Sequence, residues 1–98
     1  MKVSTDRRTE KLLNRLSRPE RARIARVVGL FSEKGFLLSE LYLKKLTRSI
    51  WELRAGNIRL LFGIVENEAI IVNVFLKKTA KTPLKEIKLA EKRLVEYL

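Results

Sequence analysis

The sequence predicts an α+β fold: a helical hairpin, a small antiparallel three-stranded sheet and a closing helix. Three observations point there. Apolar residues recur at helical spacing up to Gly35, the period drops to two from Ile50, and Thr82-Pro83 restarts a helical pattern. The 98 residues fit one domain spanning 1–98, and 46% apolar content supplies a modest core.

Ser17-Arg18-Pro19-Glu20 reads as a capping box with proline in the first turn. It opens a helix over 18–34, with Ile24, Val27, Val28 and Phe31 on its buried stripe and Gly35 as the stop. A shorter helix from Asp6, with Leu12, Leu13 and Leu16 as its stripe, precedes it, and the tight join at Ser17 makes the hairpin. Residues 36–49 follow neither period and are expected to be irregular. Trp51 and Leu53 then alternate with Glu52 and Arg54, and Ala55-Gly56-Asn57 turns the chain into Ile58–Val65. Glu66-Asn67-Glu68 is the next turn, and the continuously apolar Ala69–Leu76 reads as the central strand, covered on both faces. In the last helix Thr82 is the expected N-cap, Pro83 the first position, and Ile87, Ala90, Leu94 and Tyr97 or Leu98 the core stripe.

Composition limits the chemistry. The chain has no Cys and no His, which excludes disulfides, thiolate or imidazole metal sites, cysteine nucleophiles and histidine bases. No metal or cofactor is expected. No apolar run approaches the ~20 residues of a membrane span, and Met1–Arg8 has no apolar segment behind its charges. The expectation is a cytoplasmic protein without a membrane partner. A net charge of +11, from 22 Lys and Arg against 11 Asp and Glu, favours a polyanionic partner.

With Gly56-Asn57 as a two-residue turn, Arg54 faces Arg59 across the hairpin. Opposed like charges are destabilising on a sheet, and such local penalties tend to mark functional sites. Glu52, Leu61 and Gly63 share their face. Trp51, Leu53, Ile58, Leu60 and Phe62 point the other way, giving one greasy and one basic face. Asn73 and Phe75 are expected on the basic face, and that strand runs into Lys77-Lys78-Thr79-Ala80-Lys81 at the start of the last helix, where backbone N–H groups also favour an anion. The plainer reading makes Arg54 and Arg59 solvated partners of Glu52, and the lysines a solvated loop. Convergence on one rim of a strongly basic protein favours nucleic acid.

Together, Ile50-Trp51-Glu52-Leu53-Arg54, Gly56-Asn57-Ile58-Arg59-Leu60-Leu61-Phe62 and Phe75-Leu76-Lys77-Lys78-Thr79-Ala80-Lys81-Thr82-Pro83, with Glu86-Ile87 and Ala90, resemble the phage-derived HigB-like branch of the RelE/ParE toxin superfamily. The likeness covers roughly residues 20–97. It implies the toxin of a type II toxin–antitoxin pair: an endoribonuclease that enters the ribosome, cuts mRNA and is silenced by a cognate antitoxin, often with a helix-turn-helix domain. It also implies a RelE-like fold. Carried over by position, Arg54 and Arg59 match the basic strand residues of such toxins, and Lys77, Lys78 and Lys81 the basic loop before the last helix. Phe75, Asn73 and Lys45 are the expected RNA contacts. The sequence departs from the family in two places. Met1–Ser4 barely suffices for the strand that commonly opens the family, leaving a short fourth strand or an open edge, and the turn at Asn57 is shorter than usual.

RNA cleavage through the 2′-hydroxyl needs a proton acceptor, stabilisation of the charged transition state and a proton donor to the leaving oxygen. Without histidine, a lysine among Lys77, Lys78 and Lys81 is the expected acceptor, with Arg59 the principal phosphate ligand and Glu52 a weaker base. A ParE-like gyrase inhibitor and a non-catalytic nucleic-acid-binding relative are the alternatives.

Overall fold

Two tight turns organise the sheet. Gly56 (φ 64°) carries the first, joining β3 (Trp51–Ala55) to β4 (Ile58–Val65), and Ala55 pairs with Ile58 across it. Glu66 (φ 50°) and Asn67 (φ 66°) carry the second, joining β4 to β5 (Glu68–Leu76). A single left-handed residue in the first turn and two in succession in the second match the twist of the flanking strands, which fixes the register at each turn. Between β4 and β5 that register slips once, since Leu61 faces Asn73 but Phe62 faces Ile71. Val72 is the extra, bulged residue, so the side chains of Val72 and Asn73 both reach the same side of the sheet.

The computed structural model describes all 98 residues. The sheet has five strands in the order β1-β5-β4-β3-β2, with β1 (Lys2–Thr5) parallel to β5 and β2 (Leu43–Lys45) antiparallel to β3. The expected three-stranded antiparallel sheet is therefore corrected to a mixed one. Met1–Ser4 does supply an edge strand, and the supposedly irregular 36–49 holds the other. The middle strand is β4, and β5 is interior beside it.

The helices are α1 (Arg7–Leu13), α2 (Arg18–Lys34) and α3 (Leu84–Val95), with a 3-10 turn over Gly35–Leu37. Asp6 caps α1, and the Ser17/Glu20 capping box opens α2 as its sequence requires. The hairpin expectation needs correction, because α1 packs on β5 and α2 on β3 and β1 rather than on each other. α2 lays Ile24, Val27 and Phe31 on Leu53, Leu60 and Phe62, with the Phe31 and Phe62 rings 4.8 Å apart. On the opposite face Ala90 and Leu94 of α3 cover Ile50, Leu61, Ile70 and Val72. That face was expected to be basic. It is apolar along most of its length, and only its end beside the β3–β4 turn carries Arg54 and Arg59. None of the helices is long and apolar enough to cross a membrane.

α3 comes so close to β4 that only glycine fits beneath it. A Cβ on Gly63 would overlap the Leu94 side chain and stand 3.0 Å from the Ser49 carbonyl oxygen. Gly63→Ala is expected to lower stability by ~1–3 kcal/mol through overpacking, read as a lower urea midpoint at unchanged m-value.

A polar clasp ties α1 to the end of α3. The buried Asp6 carboxylate accepts from the Arg8 guanidinium (2.9 Å), the backbone of Arg8 and Thr9, and the Tyr97 hydroxyl (2.6 Å), while Arg8 also bridges to Glu96. Tyr97, expected in the core stripe, is partly exposed and acts through its hydroxyl. Arg8 and its companions hold the Asp6 carboxyl well below the usual carboxylate range, against the opposing effect of burial, and the same bond raises the Tyr97 phenol. A lowered carboxyl contributes stability that is complete above its unfolded pKa of ~4 and is lost as pH falls toward the folded value. Asp6→Asn keeps the cap but removes the charge. Wild type is expected to exceed this variant by ~2 kcal/mol at neutral pH, and urea titrations below pH ~4 should show the gap closing.

Candidate functional site

The β3–β4 register places Arg54 directly opposite Arg59. Glu52, two residues before Arg54 and hence on the same face, makes this tolerable. Its carboxylate is fully buried, 0% exposed, with Oε1 3.1 Å from Arg54 Nε and 3.6 Å from Arg59 Nε. The second oxygen accepts a short hydrogen bond from the Thr82 hydroxyl. Arg59, 12% exposed, is also fixed by its own turn, donating through Nη1 to the carbonyls of Gly56 (2.6 Å) and Ile58 (3.1 Å). Its Nε makes no hydrogen bond, being just beyond reach of Glu52. Burial pushes the Arg59 pKa down, Arg54 adds to that, and Glu52 opposes it. A guanidinium starts so high that it stays protonated. The Arg54 side chain, 28% exposed, has no hydrogen bond beyond its Nε contact. One acid thus aligns two arginines and leaves a net positive charge.

Thr82 brings the lysine loop to the same place. Residues 77–83 leave the end of β5, and Thr82 anchors the far end of that loop on Glu52 beneath the two arginines. At the near end the Lys77 N–H donates to the Asn57 carbonyl at 2.7 Å, extending the ladder by one step beyond Leu76↔Ile58. By the period of two, Lys77 shares the face of Phe75 and Arg59. It is half-buried, whereas Lys78 and Lys81 are exposed, and none of the three has an ion-pair partner. Phe75, Lys78, Thr79 and Lys85 line a cleft of about 370 Å³ at the start of α3. No cluster of His, Cys, Asp or Glu is placed to hold a metal ion.

The sequence matches the family described as phage derived protein Gp49-like (DUF891) over residues 11–95. The chain belongs to this family. No curated protein matches it in sequence. Among solved structures, the Gp49-like chain is similar to a chain of the archaeal RelE–RelB complex of Pyrococcus horikoshii OT3. They share 15% identity at a TM-score of 0.65, over 81% of this chain and 97% of that one. A chain of the RelB–RelE antitoxin–toxin complex of Methanococcus jannaschii is 20% identical at a TM-score of 0.58, over 74% of this chain and 87% of that one. At these identities the likeness is one of fold.

Several expected residues take other places in this Gp49-like chain. Asn73 is 2% exposed, and its amide donates to the Glu86 carbonyl and to Glu86 Oε1, both at 3.1 Å. The bulge turns it under α3, so it anchors the helix and offers nothing to a ligand at the surface. Lys45 pairs with Trp51, its ammonium 5.3 Å from the ring centroid, and with Lys44 and Arg54 it lines a cleft of about 560 Å³. Its neighbour Lys44, opposite Glu52, is the β2 cation on the site's face. Trp51, expected in the core, is only half-buried, its ring tilted against Phe36 at 4.6 Å. Thr82 is not the N-cap: α3 starts at Leu84 with Pro83 before it and no side-chain cap, because the hydroxyl belongs to Glu52. Glu52 cannot serve as a base, being sealed from solvent with both oxygens engaged.

Proposed function

We propose that this Gp49-like chain is the toxin of a type II toxin–antitoxin pair of the HigB kind, a metal-independent endoribonuclease that cuts mRNA on the ribosome in the cytoplasm. One observation carries the reading: a buried glutamate holds two arginines side by side and also anchors, through Thr82, the end of a loop of unpaired lysines. Opposed cations lower stability unless an anion completes them, and a phosphodiester is an anion that two guanidinium forks can grip. Family membership and the RelE-like fold support it. The two similar structures are themselves antitoxin–toxin complexes, which favours an antitoxin partner, here with a helix-turn-helix domain.

In this reading the scissile phosphate rests on Arg59, with Arg54 beside it. Lys77, entering the step as the uncharged amine, accepts the proton of the 2′-hydroxyl as that oxygen bonds to phosphorus. The 5′-oxygen departs with a proton from Lys78 or Lys81, leaving a 2′,3′-cyclic phosphate and a 5′-hydroxyl. The arginines stay protonated throughout and stabilise the extra negative charge of the transition state. Phe75, opposite Arg59, offers a ring against which an unstacked base rests.

The test is induced expression with mapping of transcript 5′ ends, alone and with the product of the adjacent gene. New ends inside translated reading frames, suppressed by the neighbour, are expected. DNA damage without transcript cuts would replace the reading with gyrase inhibition, and salt-dependent RNA binding without cuts would replace it with a non-catalytic module.

A further inference from the structure

The arginines of α2 belong to the opposite side of the sheet from Arg59, yet two of them reach the same turn. Arg23 leans over it, with Cδ and Nη1 each 3.7 Å from the position a Cβ on Gly56 would take. Arg23, Arg26, Arg54, Tyr42 and Gly56 line a cleft of about 240 Å³ floored by Val27 and Ala55. No acidic residue lines it, and neither the Arg23 nor the Arg26 side chain has a hydrogen bond or ion pair. Arg54 and the Gly56 carbonyl also belong to the Glu52 site, so cleft and site are continuous around the β3–β4 turn.

We propose that this cleft is a second phosphate-binding subsite, holding the backbone of the RNA strand that leaves the Arg59 site. The inference rests on the ribonuclease reading and extends it from one phosphate to several. Three cations converge on a cleft with no acid in its lining, and Glu52 engages only the Nε of Arg54, so their remaining donors fit a repeating anion. The continuity through Arg54 supplies the path along which a single strand passes from one set of arginines to the other. The one aromatic ring in the lining, Tyr42, adds the stacking surface that single-strand grooves combine with cations. An acidic protein segment would satisfy the charge but would have no reason to continue into the Arg59 site.

The test uses the whole chain, a non-cleavable 2′-O-methyl RNA dodecamer and a trinucleotide of the same core sequence, with binding followed by anisotropy across salt concentrations. Arg23 and Arg26 are exposed on α2, and an unchanged melting temperature confirms that Arg23→Gln/Arg26→Gln is folded. The double variant is expected to bind the dodecamer on the order of tenfold more weakly, with the slope of log K against log salt smaller by about 1.4, at ~0.7 per phosphate lost. It should bind the trinucleotide as wild type does, whereas Arg59→Ala weakens both lengths. An unchanged dodecamer slope overturns the subsite and leaves the cleavage site standing. An unchanged slope with lost binding to a poly-glutamate peptide also overturns it, in favour of a protein partner. Equal losses on both lengths overturn it too, because the cleft would then act at the cut itself. A wild-type chain that binds neither RNA overturns the subsite and leaves the ribosome-dependent ribonuclease reading to the mapping of transcript ends.

Discussion

Arg59→Ala is expected to lower mRNA cleavage on translating ribosomes on the order of 10²–10³-fold, the usual effect of removing one preorganised donor from a charged transition state. The fold should survive. The substitution removes a like-charge opposition to Arg54 and leaves Glu52 with both Arg54 and Thr82, so the net change in stability is expected within about 1 kcal/mol. Arg59→Lys separates charge from geometry. It keeps a cation in the same place but loses the planar fork and the Nη1 bonds that fix it to the turn, and is expected to recover only a small part of the activity. The measurement is single-turnover cleavage in a reconstituted translation system, beside circular dichroism and a urea melt. Full cleavage by a folded Arg59→Ala protein would remove Arg59 from the mechanism.

Glu52→Gln is expected to damage both stability and activity. The shape and the contact with Thr82 are nearly kept, but two arginines are left facing each other with no anion between them. Removing one partner of a fully buried pair costs ~3–5 kcal/mol. Here the arginines are partly exposed, so water screens the loss and ~2 kcal/mol is the reasonable expectation. Two signatures identify the cause. Inorganic sulfate should stabilise Glu52→Gln more than wild type, since it replaces the missing anion. The double variant Glu52→Gln/Arg54→Gln should be more stable than the two single effects added together, with a coupling of about 1 kcal/mol. Urea midpoints with and without sulfate check both. Equal sulfate effects on variant and wild type would show that Glu52 does not neutralise the arginines.

What could be read from the sequence was local. Gly56-Asn57 fixes a two-residue turn, and that turn alone forces Arg54 against Arg59. Ser17 and Glu20, three apart, announce α2 before its stripe begins. The misses are non-local or too short for a period to show. Lys2–Thr5 is a four-residue strand whose partner, Glu68–Ile71, lies far along the chain, and Leu43–Lys45 is shorter still. The bulge at Val72 leaves no mark in an apolar run, yet it decides that Asn73 faces α3 instead of a ligand. Lys45 lies opposite Trp51 and beside the Arg54 cleft, a placement invisible until β2 is known to exist. Thr82 had the composition of an N-cap. Only the path of the 77–83 loop shows that its hydroxyl is taken by Glu52, and that bond is what joins the lysine loop to the arginine pair.

The unity of that pocket is best tested by titrating isotope-labelled protein with the non-cleavable dodecamer while following the Nε–H signals of Arg54 and Arg59 and the ε-methylene signals of Lys77, Lys78 and Lys81. All five are expected to move together along one binding curve. Arginine signals that shift while the lysines stay still, or the two groups saturating at different RNA concentrations, would contradict a single anion site built on Glu52.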